Sequence, residues 1–213
     1  MPTVATYGVV DTIKYFTRLY PNIRIMMEEM EEDRLLYVLE ARDCDLAFCS
    51  TINLDKTLFD TVFYCRDKFM IAVSFDNPLA QRESVSISDL RNFKLIFNSK
   101  ESSLYDICKD ACIKAGFEPN ILFTTSRPDL AYAYLFDKTY IYMGIGHIME
   151  GFDHDSINVI PITDGPSFEY HFVRHRTSEL THGIKKYLEF VSDRGGLFFE
   201  QSKPLITLTN KTM

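Results

Sequence analysis

Tryptophan is absent from this 213-residue chain. No apolar run approaches the roughly 20 residues that a membrane-spanning helix needs. The opening MPTVATYGVV has neither the basic start nor the apolar stretch of a secretory leader. Basic clusters are short, confined to Lys185-Lys186 and to VRHR at 173–176, and the formal net charge is −7. Such a surface does not grip a phosphate backbone by itself. A Gly-x-Ser-x-Gly elbow is missing, and YMGIGHI supplies two glycines, too few for a dinucleotide fingerprint. Disulfide scaffolds are also excluded, because five cysteines are an odd number and carry no export signal, which points to free thiols in a reducing cytoplasm. His171 and His175 are four apart in the strand-like EYHFVRH, yet no nearby Cys or carboxylate pattern completes a metal site. Neither a metal nor a cofactor is expected.

What is present is an ordinary globular composition, 46% hydrophobic and 25% charged, in two alternating kinds of segment. Runs rich in Ile, Val, Phe and Tyr read as strands at 22–30, 45–50, 94–99, 120–126, 139–146, 157–162 and 169–175. Helical spacing joins Val9, Val10, Ile13, Phe16 and Tyr20, then Leu35, Leu36 and Leu39. It joins Leu104, Cys108, Ala111 and Ala115 in a helix closed by Gly116, and Leu180, Ile184, Leu188 and Val191 in one ending near Gly195-Gly196. This alternation predicts an α/β protein with largely parallel sheets. Residues 58–80 hold two β-like runs with only Arg66-Asp67 between them, so this segment is expected to pass between two units, with 157–162 as the return. The predicted architecture is a first subdomain from 1–72 plus 163–213 and a second from 73–162. The pattern after Phe199 shows no helical period.

Polar groups gather where strands end. SLYD (103–106) and SRPD (126–129) both fit a Ser-x-x-Asp helix cap. Ligands of open parallel sheets bind beyond the carboxyl ends of the strands, where hydroxyls and helix N-termini favour anionic groups. Four loops therefore stand out: Thr3 and Thr6; Ser50 and Thr51; Asn98, Ser99, Ser102 and Ser103; Thr125 and Ser126. Arg127 could pair with a ligand carboxylate, and Gly144 could let backbone approach a ligand. Each hydroxyl taken singly is better explained as a cap worth about 1 kcal/mol; four such loops together point to a cleft. Cys44 and Cys49 in DCDLAFCST have opposite strand parity, so the stretch reads as a buried parallel strand delivering Ser50-Thr51.

In order and spacing, PTVATYGVVDTIKYFTRLYPNIRI, LLYVLEARDCDLAFCS, DKFMIAVSFDNPLAQRESVSISDLRNFKLI, AGFEPN and YIYMGIGHIM resemble the effector-binding domain of LysR-type transcriptional regulators, over roughly residues 2 to 192. Asn77 departs from the His common before Pro-Leu-Ala, and Cys44 from the usual residue before Asp-Leu-Ala. The resemblance implies two Rossmann-like subdomains joined by two crossover strands, the fold of type 2 periplasmic binding proteins. It also implies a small polar or anionic effector in the cleft and a cytoplasmic homodimer, with a tetramer possible at full length. DNA would be reached only through an N-terminal winged helix-turn-helix that these residues do not include, as in a fragment or a gene with a misplaced start. Carried over residue by residue, the family's effector loops fall on Thr3, Thr6, Ser50, Thr51, Asn98, Ser102, Ser103 and Thr125.

Peroxide-sensing members of that family use paired cysteines. Cys112 falls near their resolving position and Ser103 at their reactive one, while Cys108 and Cys112 fit the apolar helix face as structural thiols. A regulatory, non-enzymatic domain is the expectation. A solute-binding receptor of the same fold, or an enzyme such as a dehydratase built on it, is the alternative. The resemblance further implies a dimer formed through the helices at 7–20 and 103–115. Light scattering of the isolated chain should give twice the chain mass, and a monomer at high concentration would overturn that expectation.

Overall fold

The computed structural model describes residues 3–30, 32–52, 54–149 and 156–202. Side chains of residues 3, 4, 32, 33 and 202 lie outside that description. The elements in chain order begin with helices α1 (Thr3–Thr6), α2 (Val9–Leu19) and α3 (Glu32–Ala41), then strands β1 (Ala47–Ser50) and β2 (Phe59–Ser74). A 3-10 turn at Ile87–Leu90 precedes β3 (Lys94–Asn98), α4 (Ser103–Lys114), β4 (Asn120–Thr125) and α5 (Pro128–Tyr134). The chain continues through β5 (Tyr140–Ile145), α6 (Gly146–Met149), β6 (Ile157–Pro161), β7 (Ser167–His175) and α7 (His182–Ser202).

The strands lie in the order β1-β7-β2-β5-β3-β4, with β6 also on β2. The two β-like runs expected in 58–80 are one strand. Its residues 59–68 pair antiparallel with β7, and residues 69–74 pair antiparallel with β5 and β6. Arg66 and Asp67 are therefore not a turn but positions inside the strand, followed by Lys68, the last residue paired with β7 before the partners change. Burial follows the same division. Thr61 and Phe63 are exposed and Asp60 and Val62 half-buried, whereas Ile71–Ser74 are buried in succession. There both faces are covered. Leu95 and Phe97 of β3 pack with Leu104, Cys108 and Cys112 of α4, while Ile96 meets Ala131 and Leu135 of α5 on the other side.

β3 is parallel to both β4 and β5, as strand–helix–strand alternation predicts. The rest of the sheet is mixed rather than largely parallel. β1 pairs antiparallel with β7, so DLAFCS is not a parallel strand, and Cys44 lies before it. Residues 22–30, read as a strand, are non-strand backbone. Met26 is 83% exposed there, and only Ile23 and Ile25 pack inward, so an apolar composition found no sheet neighbour among the described residues.

Helix ends show where local rules hold. Gly116, at φ 85°, ends α4 as expected; its N–H donates to the Ile113 carbonyl and the Phe117 N–H to the Cys112 carbonyl, a Schellman closure. Capping by Ser103 and Ser126 does not occur. Ser102 is the cap of α4, accepting from the Leu104 N–H at 3.3 Å, and α5 starts at Pro128 behind Arg127. Asn77, the departure from the family's His, holds its own turn: Oδ1 accepts from the Leu79 N–H and Nδ2 donates to the Lys138 carbonyl.

The expected stop of the last helix at Gly195-Gly196 is also corrected, because α7 runs through both to Ser202. Gly195 is there for space. A Cβ on it would stand 2.9 Å from the Tyr64 ring, whose hydroxyl is fixed by the Tyr7 carbonyl at 3.0 Å. Gly196 has nothing within 4 Å. Gly196→Ala should therefore raise stability by about 0.5–1 kcal/mol through helix propensity. Gly195→Ala should lower it by about 1–2 kcal/mol through overpacking. Urea unfolding of the two variants should separate in sign, and equal effects would refute the packing role of Gly195.

Candidate functional site

Two of the predicted loops are brought side by side by register. Asn98 ends β3 and Thr125 ends β4, and they are paired positions of the parallel ladder. Asn98 is 2% exposed; its Oδ1 accepts from the Tyr142 hydroxyl at 3.4 Å, and its Nδ2 has no partner among the described residues. An unsatisfied buried donor costs about 1–3 kcal/mol. Buried Thr125 accepts from the Arg127 N–H at 3.0 Å. Gly144 faces the same group: a Cβ there would stand 3.1 Å from the Tyr142 hydroxyl and 2.9 Å from Met149 Cε. Burial, with Cys108 nearby, pushes the Tyr142 phenol well above its ordinary pKa, so it stays a neutral donor.

The other predicted residues divide. Ser102 is occupied as a cap, Ser103 is buried, Ser99 is half-buried and Ser126 is exposed. Arg127 points to solvent and pairs with Asp129 at 2.5 Å. Ser50 is buried and accepts from the Ile52 N–H at 3.2 Å, a local turn, while Thr51 beside it is half-buried. Thr3 and Thr6 form α1 rather than a loop, with the side chain of Thr3 outside the described residues. No hydrogen bond among the described residues joins Ser50 or Thr51 to the Asn98 group.

A polar cluster that sequence spacing does not reveal lies next to Thr6. Asp67 of β2 accepts from the Tyr7 hydroxyl at 2.7 Å and from the His147 backbone N–H at 3.2 Å. His147 Nε2 lies 2.7 Å from the Thr6 carbonyl, so this nitrogen carries the proton and donates. Tyr7 is fully buried and stacks among Tyr170, His147 and Phe199 at centroid distances of 4.5, 5.0 and 5.7 Å. The available signal was weak: an Asp between Arg66 and Lys68, indistinguishable from a polar turn, and a His after Gly-Ile-Gly.

Cavities lie elsewhere. One of about 380 Å³ is lined by Ile87, Ile107, Asp110, Lys114 and Asp164 among others, and one of about 290 Å³ lies between α2 and α7. Neither is lined by a predicted ligand residue. No group of three or more His, Cys, Asp or Glu able to hold a metal occurs among the described residues. Nor is any helix among them long and apolar enough to cross a membrane.

A mixed sheet entered and left by long antiparallel strands, with polar groups at its parallel strand ends, defines an α/β ligand-binding fold of the type 2 periplasmic-binding-protein kind. The model of the LysR substrate binding domain matches residues 1–196, and the chain belongs to that family. The C-terminal domain of a probable LysR family regulator from Rhodococcus sp. RHA1 superposes with TM-score 0.77 at 19% identity, covering 90% of this chain and 95% of that one. The Synechocystis PCC6803 CcmR regulatory domain, solved in complex with 2-PG, does so with TM-score 0.76 at 13% identity, covering 90% and 92%. Among curated relatives, the HTH-type transcriptional regulator YwbI of Bacillus subtilis is 24% identical over 82% of this chain and 58% of its own length. The Escherichia coli dual regulator OxyR is 23% identical over 58% of this chain and 40% of its own length. This chain thus spans about half the length of such relatives.

Asp67 supplies a pH test. Burial raises its carboxyl pKa above the ordinary 3.8, against the lowering effect of the bonds from Tyr7, Lys68 and His147. The folded state therefore binds this proton more tightly than the unfolded state. The associated stability is present below about pH 3.8 and is lost as pH rises through the raised folded value. Asp67→Asn keeps an acceptor and removes the titration. Its stability relative to the parent should increase between pH 4 and pH 7 in urea unfolding, and a pH-independent difference would contradict the buried-carboxyl reading.

Proposed function

We propose that this chain is the effector-binding regulatory domain of a LysR-type transcriptional regulator. It takes a small polar or anionic metabolite between a lobe of 1–72 plus 163–213 and a lobe of 73–162, without turning it over. The observation that carries the reading is Asn98, a buried amide donor without a partner among the described residues, at paired strand ends beside Thr125, Tyr142 and Gly144. Support for the division into lobes comes from β2, whose partners change between Lys68 and Phe69. Support for a regulatory role comes from the relatives, which carry the names of transcription regulators. Support for a small ligand comes from the CcmR domain, solved with 2-PG.

The mechanism is a population shift. A ligand that binds one arrangement of the lobes better moves the equilibrium by its differential affinity, about 1.4 kcal/mol per tenfold. In a dimer of the whole regulator, that shift re-aims the DNA-binding domains. DNA contact and dimer formation belong to this proposal.

Thermal-shift screening of the purified chain against mono- and dicarboxylates, amino acids and phosphorylated metabolites tests it. A true ligand at a hundred times its Kd adds about 2.7 kcal/mol to stability. Asn98→Ala should weaken that ligand about tenfold or more while the ligand-free protein stays folded. The proposal fails if no compound stabilises the chain, or if the bound compound ignores Asn98→Ala.

A further inference from the structure

The contacts around His147 join two parts of the chain. Thr6 and Tyr7 belong to residues 1–72, whereas His147 lies in α6, within residues 73–162. Its imidazole donates to the Thr6 carbonyl at 2.7 Å, and its backbone N–H donates at 3.2 Å to the Asp67 oxygen that also accepts from Tyr7. The ring is 4% exposed and lies 5.0 Å from the Tyr7 ring and 5.2 Å from that of Phe199, both in the first part. Gly146 allows this approach, since a Cβ on it would stand 2.4 Å from Met70 Sδ and 3.3 Å from the Lys68 carbonyl oxygen.

The position within the fold gives these contacts a role. Asp67 lies one residue before Lys68, which is paired with Ser167 of β7 and is the last such position before β2 changes partners. Any rotation of one part against the other is absorbed at this point of β2 and at the link from β6 to β7, so a bond beside them resists opening directly. β5 runs from Tyr142, which touches Asn98, through Gly144 to Ile145, and α6 follows at Gly146. The strand that meets the candidate ligand position thus runs straight into the His147 contact.

We propose that the His147–Thr6–Asp67–Tyr7 network is a latch holding residues 73–162 against the α1 turn, and that its release sets how often the ligand cleft opens. This rests on the two-lobe reading above. Buried hydrogen bonds cannot be exchanged for water without separating the parts they join. A ligand that displaces Tyr142 and Gly144 loosens the latch through β5, and one that holds them in place tightens it.

The test measures opening without ligand. Spin labels are placed on exposed Lys138→Cys and Lys185→Cys in a Cys44→Ser background, the labelled chain is mixed with a large excess of unlabelled chain so that a dimer carries one labelled copy, and the separation within that copy is read by double electron–electron resonance. The parent should give one distance. His147→Phe keeps the ring packing but loses the donor, and should add a longer component, raising the open-to-closed ratio about tenfold. Tyr7→Phe, which loses one hydroxyl, should shift the same way by less. Val173→Ala truncates the separate cluster around Leu39 and Phe59 and should lower the melting temperature while keeping the single distance. A parental distance in both latch variants overturns the proposal, as does an equal long component in Val173→Ala. Because no ligand is present, a failed metabolite screen leaves this result standing, and a failed latch leaves the screen standing.

Discussion

Strand β2 is shared. Its residues 59–68 complete one half of the sheet with β7, and residues 69–74 complete the other with β5 and β6. Each half borrows backbone hydrogen bonds from the same strand, so neither can be built without fixing where the other begins. The change of partners has a cost in side chains. Between Phe63 and Cys65 the register with β7 shifts, and Asp67 is left pointing into a largely apolar region. That carboxylate is tolerable only because the Tyr7 hydroxyl and the backbone N–H groups of Lys68 and His147 all donate to it. The polar cluster at the junction therefore follows from the shared strand: a charge placed there needs donors, and the donors come from both sides.

The same requirement separates Asn98 from the rest of the predicted residues. Three hydroxyls at the strand ends are spent on their own backbone: Ser50 on Ile52, Ser102 on Leu104, Thr125 on Arg127. Those bonds shape loops and start helices, and they leave acceptors partly used. Asn98 differs because its Nδ2 is enclosed and unanswered among the described residues. By composition Asn98 stands among a dozen equals; its buried, unpartnered Nδ2 sets it apart from the others among the described residues.

The alternation of strands and helices was legible because α4, α5 and their strands bury continuous or periodic apolar faces, and Gly116 marks a left-handed position that only its conformation requires. The junction was not legible. Arg66-Asp67 looks like a turn in one dimension, since nothing local says that a strand will continue with new neighbours. Residues 22–30 failed for the opposite reason: Ile and Met favour a strand, but a strand exists only if a neighbour offers its edge. Gly195-Gly196 looked like a helix stop, although Gly195 serves the Tyr64 ring instead. In each case the deciding partner is far away along the chain. The His147 cluster was invisible for the same reason, its members being spread over residues 6, 7, 67 and 147.

Distance along the chain also decides how far chemistry travels between relatives. The peroxide-inducible activators among them match little more than half of this chain. Thiol sensing needs a reachable thiolate. Here the position resembling the reactive cysteine is Ser103, Cys108 is fully buried, and burial with Glu118 nearby pushes the Cys112 thiol up to about 12. At neutral pH both remain protonated and packed against the apolar residues of β3, where a small sulfur-bearing side chain fills space. The scaffold is common to both chemistries, but the groups that would make this helix a redox sensor are replaced by a hydroxyl at its start and a sealed core beneath it. The polar end of β3 carries instead the buried Asn98 amide, whose Nδ2 has no partner among the described residues.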